Sequence, residues 1–148
     1  MIVSSPVQRQ AWAIHHLQSK KVRLSRPRLV ILWALAAQKE PVSLDVLAGQ
    51  LKEDCNLATL YRTMHAFQKA GVLRQVNLTH RYASFVLNTP GQHHEFLVCV
   101  DCGLVNDLPD AQPIMEFEKQ LVARSGFIAL QREVKFYGKC PKCQHSKS

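Results

Sequence analysis

Two Cys-x-x-Cys pairs, Cys99/Cys102 and Cys140/Cys143, constrain the fold of this chain more than any other feature. Two intervening residues let both sulfurs of a pair bend over one point. With 37 residues between the pairs, four thiolates suit a single tetrahedral ion. Zinc accepts all-sulfur ligation and has no redox chemistry of its own. Gly103 and Pro141 supply the tight-turn residues that such bends need. A closed four-thiolate site leaves no open coordination position, so one structural Zn2+ per protomer is expected and no catalytic one. Disulfides and a thioredoxin-like redox pair are the competing uses. The start, MIVSSPVQRQAW, lacks the charged head and apolar core of a secretion signal. A cytoplasmic chain is therefore expected, in which disulfides are the less common use. The longest apolar run, residues 29–37, is nine residues, against the roughly 20 that cross a bilayer.

The chain of 148 residues predicts one compact domain or two small ones. Its net charge of +8 is unevenly placed. Up to Pro90 there are twelve Lys/Arg and four Asp/Glu; from Gly91 onward there are seven of each. All the excess lies in the first half, which points to a polyanion, nucleic acid before membrane surface, or to a merely soluble basic face. Turn residues run from Asn88 to Gly91 where the composition changes, so a hinge is placed at 89–91, between domains at 1–88 and 92–148.

The first half reads as helices. Residues 7–19 form a first helix. Ser25 and Pro27 open a second that is apolar nearly all round and must stop before Pro41. Ser43 caps a third. Asn56 caps a fourth that ends at Gly71, with Leu57, Leu60, Tyr61, Met64 and Phe67 at three- and four-residue steps. Two short strands around Asn77 to Thr79 follow. Helices followed by a two-stranded wing give a winged helix-turn-helix, whose last helix enters the DNA major groove. Here that helix is expected to expose Thr59, Arg62, Thr63 and the Gln68–Lys69 edge. The second half reads β-α-β. HEFLVCV and GLVNDL are strands, residues 113–125 are an amphipathic helix with Ile114, Phe117, Leu121 and Val122 inward, and residues 127–138 are one strand or two pieces. The whole is an α+β chain: a winged-helix domain, then a small α/β domain with the four-cysteine zinc site. So small a second half has a thin core and needs a metal, a partner or both.

An enzyme reading fails on detail. His93-His94-Glu95 satisfies H-x-E, and the second cysteine pair follows a deaminase-like order. However, Pro141 lies inside that pair, and Cys99 comes only four residues after Glu95. No enzyme is expected.

Four blocks in order resemble the ferric uptake regulator family of bacterial metal-responsive transcription factors, over roughly residues 24–143. They are Ser25-Arg26-Pro27-Arg28, Leu57-Ala58-Thr59-Leu60-Tyr61-Arg62-Thr63, residues 93–103 (HHEFLVCVDCG), and Tyr137-Gly138-x-Cys140-Pro141-x-Cys143. The resemblance implies a homodimer on an inverted-repeat operator of double-stranded DNA, usually a repressor, with the second half dimerising. It places Arg23, Arg28, Thr59, Tyr61, Arg62 and Thr63 at the DNA. Tyr61 is then a thymine-methyl contact, although its place on the apolar stripe also allows a core role.

The resemblance also implies a second divalent metal (Zn2+, Fe2+ or Mn2+) that sets the angle between the halves. Where family members place four ligands, this chain has Pro41, Val86, His94 and Phe96. Asp107 matches a further acidic ligand, and His80 on the wing completes a composite site with His94 and Asp107. On the other strand face, His93 and Glu95 match a third site of some relatives, whose other two positions read Met115 and Arg132. Arginine does not ligate metals, so pairing of Arg132 with Glu95 in place of an ion is expected. Zinc is slightly favoured as the signal. The other readings are a DNA-binding relative with structural zinc only, and a zinc-stapled adaptor for RNA or an acidic partner.

Overall fold

A computed structural model describes residues 5–77, 83–90, 95–108, 111–128 and 132–145. The chain forms two compact units, Met1–Gln92 and His93–Ser148.

In the first unit, α1 (Pro6–Ser19) opens with a capping box: Ser5 accepts from Gln8 N at 3.1 Å and Gln8 Oε1 accepts from Ser5 N at 3.2 Å. Helix α2 (Arg26–Ala37) has Pro27 in its first turn, where a missing N–H is harmless. Ser25 sits at its N-cap but makes no side-chain cap bond. Ile31, Leu32, Leu35 and Ala36 are buried, and Trp33 is the large apolar side chain of this helix that faces outward, half exposed. The short strand β1 (Val42–Ser43) leads into α3 (Leu44–Leu51), capped by Ser43. Asn56 caps α4 (Leu57–Lys69), accepting from Thr59 N at 2.8 Å. Gly71, at φ 79°, takes the left-handed conformation that ends the helix. Strands β2 (Leu73–Asn77) and β3 (Ala83–Leu87) pair antiparallel, and β1 adds to β3, giving the order β1-β3-β2. Strand β1 has no mark in the sequence, because two residues are too few to show a period.

The buried face of α4 is Leu60, Thr63, Met64 and Phe67. Leu57 and Tyr61, expected on that stripe, are each 55% exposed, whereas Thr63, expected outward, is 2% exposed. Position 63 lies three after Leu60 and four before Phe67. Helical geometry therefore turns it inward whatever its polarity.

The second unit is a three-stranded sheet in the order β5-β4-β6, with β4 (Glu95–Cys99), β5 (Val105–Asp107) and β6 (Val134–Gly138). β4 and β5 are antiparallel; β4 and β6 are parallel, Glu95 facing Val134 and Cys99 facing Gly138. Helix α5 (Gln112–Ser125) ends at Gly126, φ 73°. It has no fully buried residue, and Phe117, Leu121 and Val122, expected inward, are exposed. A helix-period pattern marks an apolar face but does not say whether the same chain covers it. Helix α6 (Pro141–His145) closes the described chain.

Phe67→Ala should destabilise the first unit by about 3–5 kcal/mol, because a fully buried aromatic leaves a cavity. Leu57→Ala should stay within about 0.5 kcal/mol of the parent. Urea titration of the two variants checks both values; equal costs would put Leu57 in the core.

Candidate metal centre and nucleic-acid interface

The parallel register of β4 and β6 explains how distant cysteines meet. Both strands run the same way and end side by side, so the bends after Cys99 and before Cys140 emerge at the same end of the sheet. On the first bend Gly103 N donates to Cys99 O at 3.0 Å, with Gly103 at φ 75°. Val100 N bonds Gly138 O across the strands at 2.9 Å. On the second, Pro141 starts α6, and Cys143 falls on its first turn.

The four sulfurs all lie within 4.8 Å of one another, and Cys102 Sγ is 3.7 Å from Cys140 Sγ. Zinc–sulfur bonds of about 2.3 Å in a tetrahedron require sulfurs about 3.8 Å apart. The cluster therefore fits a structural zinc. The Cys99 thiol is lowered to about 6, because backbone N–H groups of Cys102 and Cys140 favour its thiolate. The Cys140 N–H donates to Cys99 Sγ at 3.3 Å. Cys143 is pushed up to about 12 by hydrogen bonding to the sulfurs of Cys140 and Cys102. One thiolate is thus ready at neutral pH, and a bound cation would draw off the remaining protons.

Among the described residues, no other group of three or more His, Cys, Asp or Glu side chains is gathered for a metal. Of the second-metal candidates, His80, His93 and His94 lie outside the described residues, and Asp107 is placed as the last residue of β5 opposite Phe96. Glu95 is described, and its carboxylate is already taken. Arg132 Nε donates to Glu95 Oε1 at 2.6 Å, as the sequence led one to expect. Glu95 therefore does not present a free ligand. The sequence reading missed Glu118, which accepts from Arg132 Nη1. It lies three residues after Met115, one helical turn along the same face, and that spacing was the available signal.

Helix α4 carries the nucleic-acid candidates. Tyr61 and Arg62 are exposed, Thr59 is half-buried, and Thr63 is withdrawn into the core. The exposed side also carries Leu57, Ala58, His65 and Lys69, of which His65 and Ala58 were not singled out from sequence. Arg23 is exposed, while the half-buried Arg28 donates through Nη1 to Arg23 O at 2.8 Å, holding the segment before α2. No described helix is long and apolar enough to cross a membrane.

Residues 19–137 match the model of the ferric uptake regulator family. A ferric uptake regulation protein of Cupriavidus metallidurans is 37% identical over 87% of this chain and 93% of its own length. One from Legionella pneumophila is 31% identical over 86% and 96%. The structure of the ferric uptake regulator of Pseudomonas aeruginosa with manganese superposes with a TM-score of 0.74 at 28% identity, covering 87% of this chain and 98% of the other.

Zinc capture by the metal-free chain should release fewer than four protons near pH 7.5, since the Cys99 thiol is lowered to about 6, and the affinity should fall as pH drops from 8 toward 6. Calorimetry in buffers of different ionisation enthalpy counts the protons. Cys140→Ser should lose the zinc that the parent retains through mild chelation, read as metal content per protomer.

Proposed function

The chain belongs to the ferric uptake regulator family, and on that premise we propose that it is a dimeric, sequence-specific DNA-binding transcriptional repressor responsive to a divalent metal, with zinc favoured. The observation that carries the reading is the divided surface of α4. One side is core, and the other presents Tyr61 and Arg62 to solvent. In a winged helix this is the helix that lies in the major groove, where arginine reads guanine edges and apolar side chains meet thymine methyls. The positive excess of the first half supplies the sequence-independent phosphate attraction. Leu57 would add apolar contact at the amino end of the helix.

Dimerisation is supported by apolar surface on the second unit. Phe117 and Leu121 on α5, and Leu97 and Phe136 on the sheet, are all at least 40% exposed. A symmetric second copy is the ordinary way to cover such a surface, and it gives two recognition helices on a palindromic site. The responding metal would use His80, His94 and Asp107. Zinc is favoured because those residues fall short of the carboxylate and histidine set expected of an iron or peroxide sensor. A second reading keeps DNA binding and structural zinc but drops sensing; the engagement of Glu95 by Arg132 favours it.

Selection of bound duplexes from a random pool should yield one inverted-repeat operator, bound with a steep loss of affinity as salt rises. Arg62→Ala should weaken operator binding by about 1–3 kcal/mol and relax preference at one base position in each half-site. An adaptor protein would show neither enrichment of a sequence nor a positional effect.

A further inference from the structure

At the end of the β4–β6 pair opposite the cysteines, three charged side chains from different segments meet. Arg132 stands two residues before Val134, which pairs with Glu95. Its guanidinium lies between two carboxylates from different elements, Glu95 at the start of β4 and Glu118 in the middle of α5. The side chains of Arg132 and Glu95 are 10% and 5% exposed, and that of Glu118 is 23%. The third guanidinium nitrogen, Nη2, is buried without a hydrogen-bond partner among the described residues. Two acidic groups thus converge on a shielded point where one positive charge is supplied by the chain itself.

We infer that Arg132 acts as a built-in cation: it fills the Glu95–Glu118 carboxylate pair and closes this end of the second unit without a metal. The inference deepens the metal-response reading above, because it restricts where a responding ion can sit. Two carboxylates this close repel unless a cation lies between them. An ion would be a removable cation, whose loss would let β4 and α5 part. A guanidinium on the same chain is permanent, since arginine stays protonated at all ordinary pH values. Metal removal therefore leaves this contact intact, and any metal response must come from residues other than Glu95. Helix α5, which has no fully buried residue, is held to the sheet here by charge.

The test uses the full-length, zinc-loaded protein with Mn2+ as probe, read by metal content per protomer and by thermal midpoint. Glu95→Gln should keep the parent's metal content yet melt lower, by roughly 5–15 °C, because it leaves part of a buried ion pair uncompensated. Arg132→Met should melt lower still, and added Mn2+ should restore part of the loss as the freed carboxylates gain one further ion. If Glu95→Gln loses a metal equivalent that the parent holds, Glu95 is a ligand and the inference is overturned. Parent-like melting of both variants, or no Mn2+ gain by a folded Arg132→Met, overturns it equally. Should Arg132→Met fail to fold, Arg132→Lys, which keeps a positive charge, should fold with the parent's metal content; extra metal there would count against the inference. Operator binding by the parent does not enter these readouts, so failure here is separate from failure of the DNA-binding reading.

Discussion

The parallel pairing of β4 with β6 is the interaction on which the second unit depends. Parallel strands have no tight turn joining them, so their register must be held from outside the ladder. Here both ends are clamped. At the amino end the Arg132 guanidinium grips Glu95; at the carboxyl end Cys99 and Cys102 meet Cys140 and Cys143. The two clamps use different chemistry for one purpose. One is an ion pair complete within the chain, and the other fits an added zinc. A unit with so little apolar core draws its rigidity from these few strong contacts.

The first unit is built on the opposite principle. Its core is a continuous apolar cluster in which Leu17, Ile31, Leu32, Leu47, Leu60 and Phe67 are fully or almost fully buried. Caps on α1, α3 and α4 fix where helices begin, and glycine fixes where α4 ends. That rigid base holds the outer side of α4 in place. The recognition role proposed for that side needs such support, because a shift of an ångström would spoil hydrogen bonds to base edges. Arg28 likewise fixes the segment that carries Arg23.

Several elements were legible because their signals are local. Ser43 and Asn56 cap the helices that follow them, and the cysteine spacing specified a four-sulfur cluster. The pairing of Arg132 with Glu95 was also accessible, because a residue that cannot ligate stood opposite one that can. The failures have a common cause. Thr63 was assigned outward by its polarity, yet its angular position between Leu60 and Phe67 turns it in. Phe117 and Leu121 were assigned inward by their apolarity, yet nothing in the single chain covers them among the described residues. Residue type states a preference for burial; only packing decides whether it is satisfied, and by which surface.

The sequence by itself determined helices α1 to α5, the wing strands, the uneven charge and the chemistry of the cysteine site, through caps, periods, spacings and composition; it did not mark the five-residue α6. It determined the family as well, through motifs in a fixed order. The tertiary structure decided which contacts join elements far apart in the chain. It set Cys99 beside Cys140 by aligning two parallel strands, turned Tyr61 outward, and brought Glu118 to the far side of Arg132. These depend on register and helix rotation, which are settled when the elements pack; a spacing such as Met115 to Glu118 marks a shared helix face but does not say what that face meets.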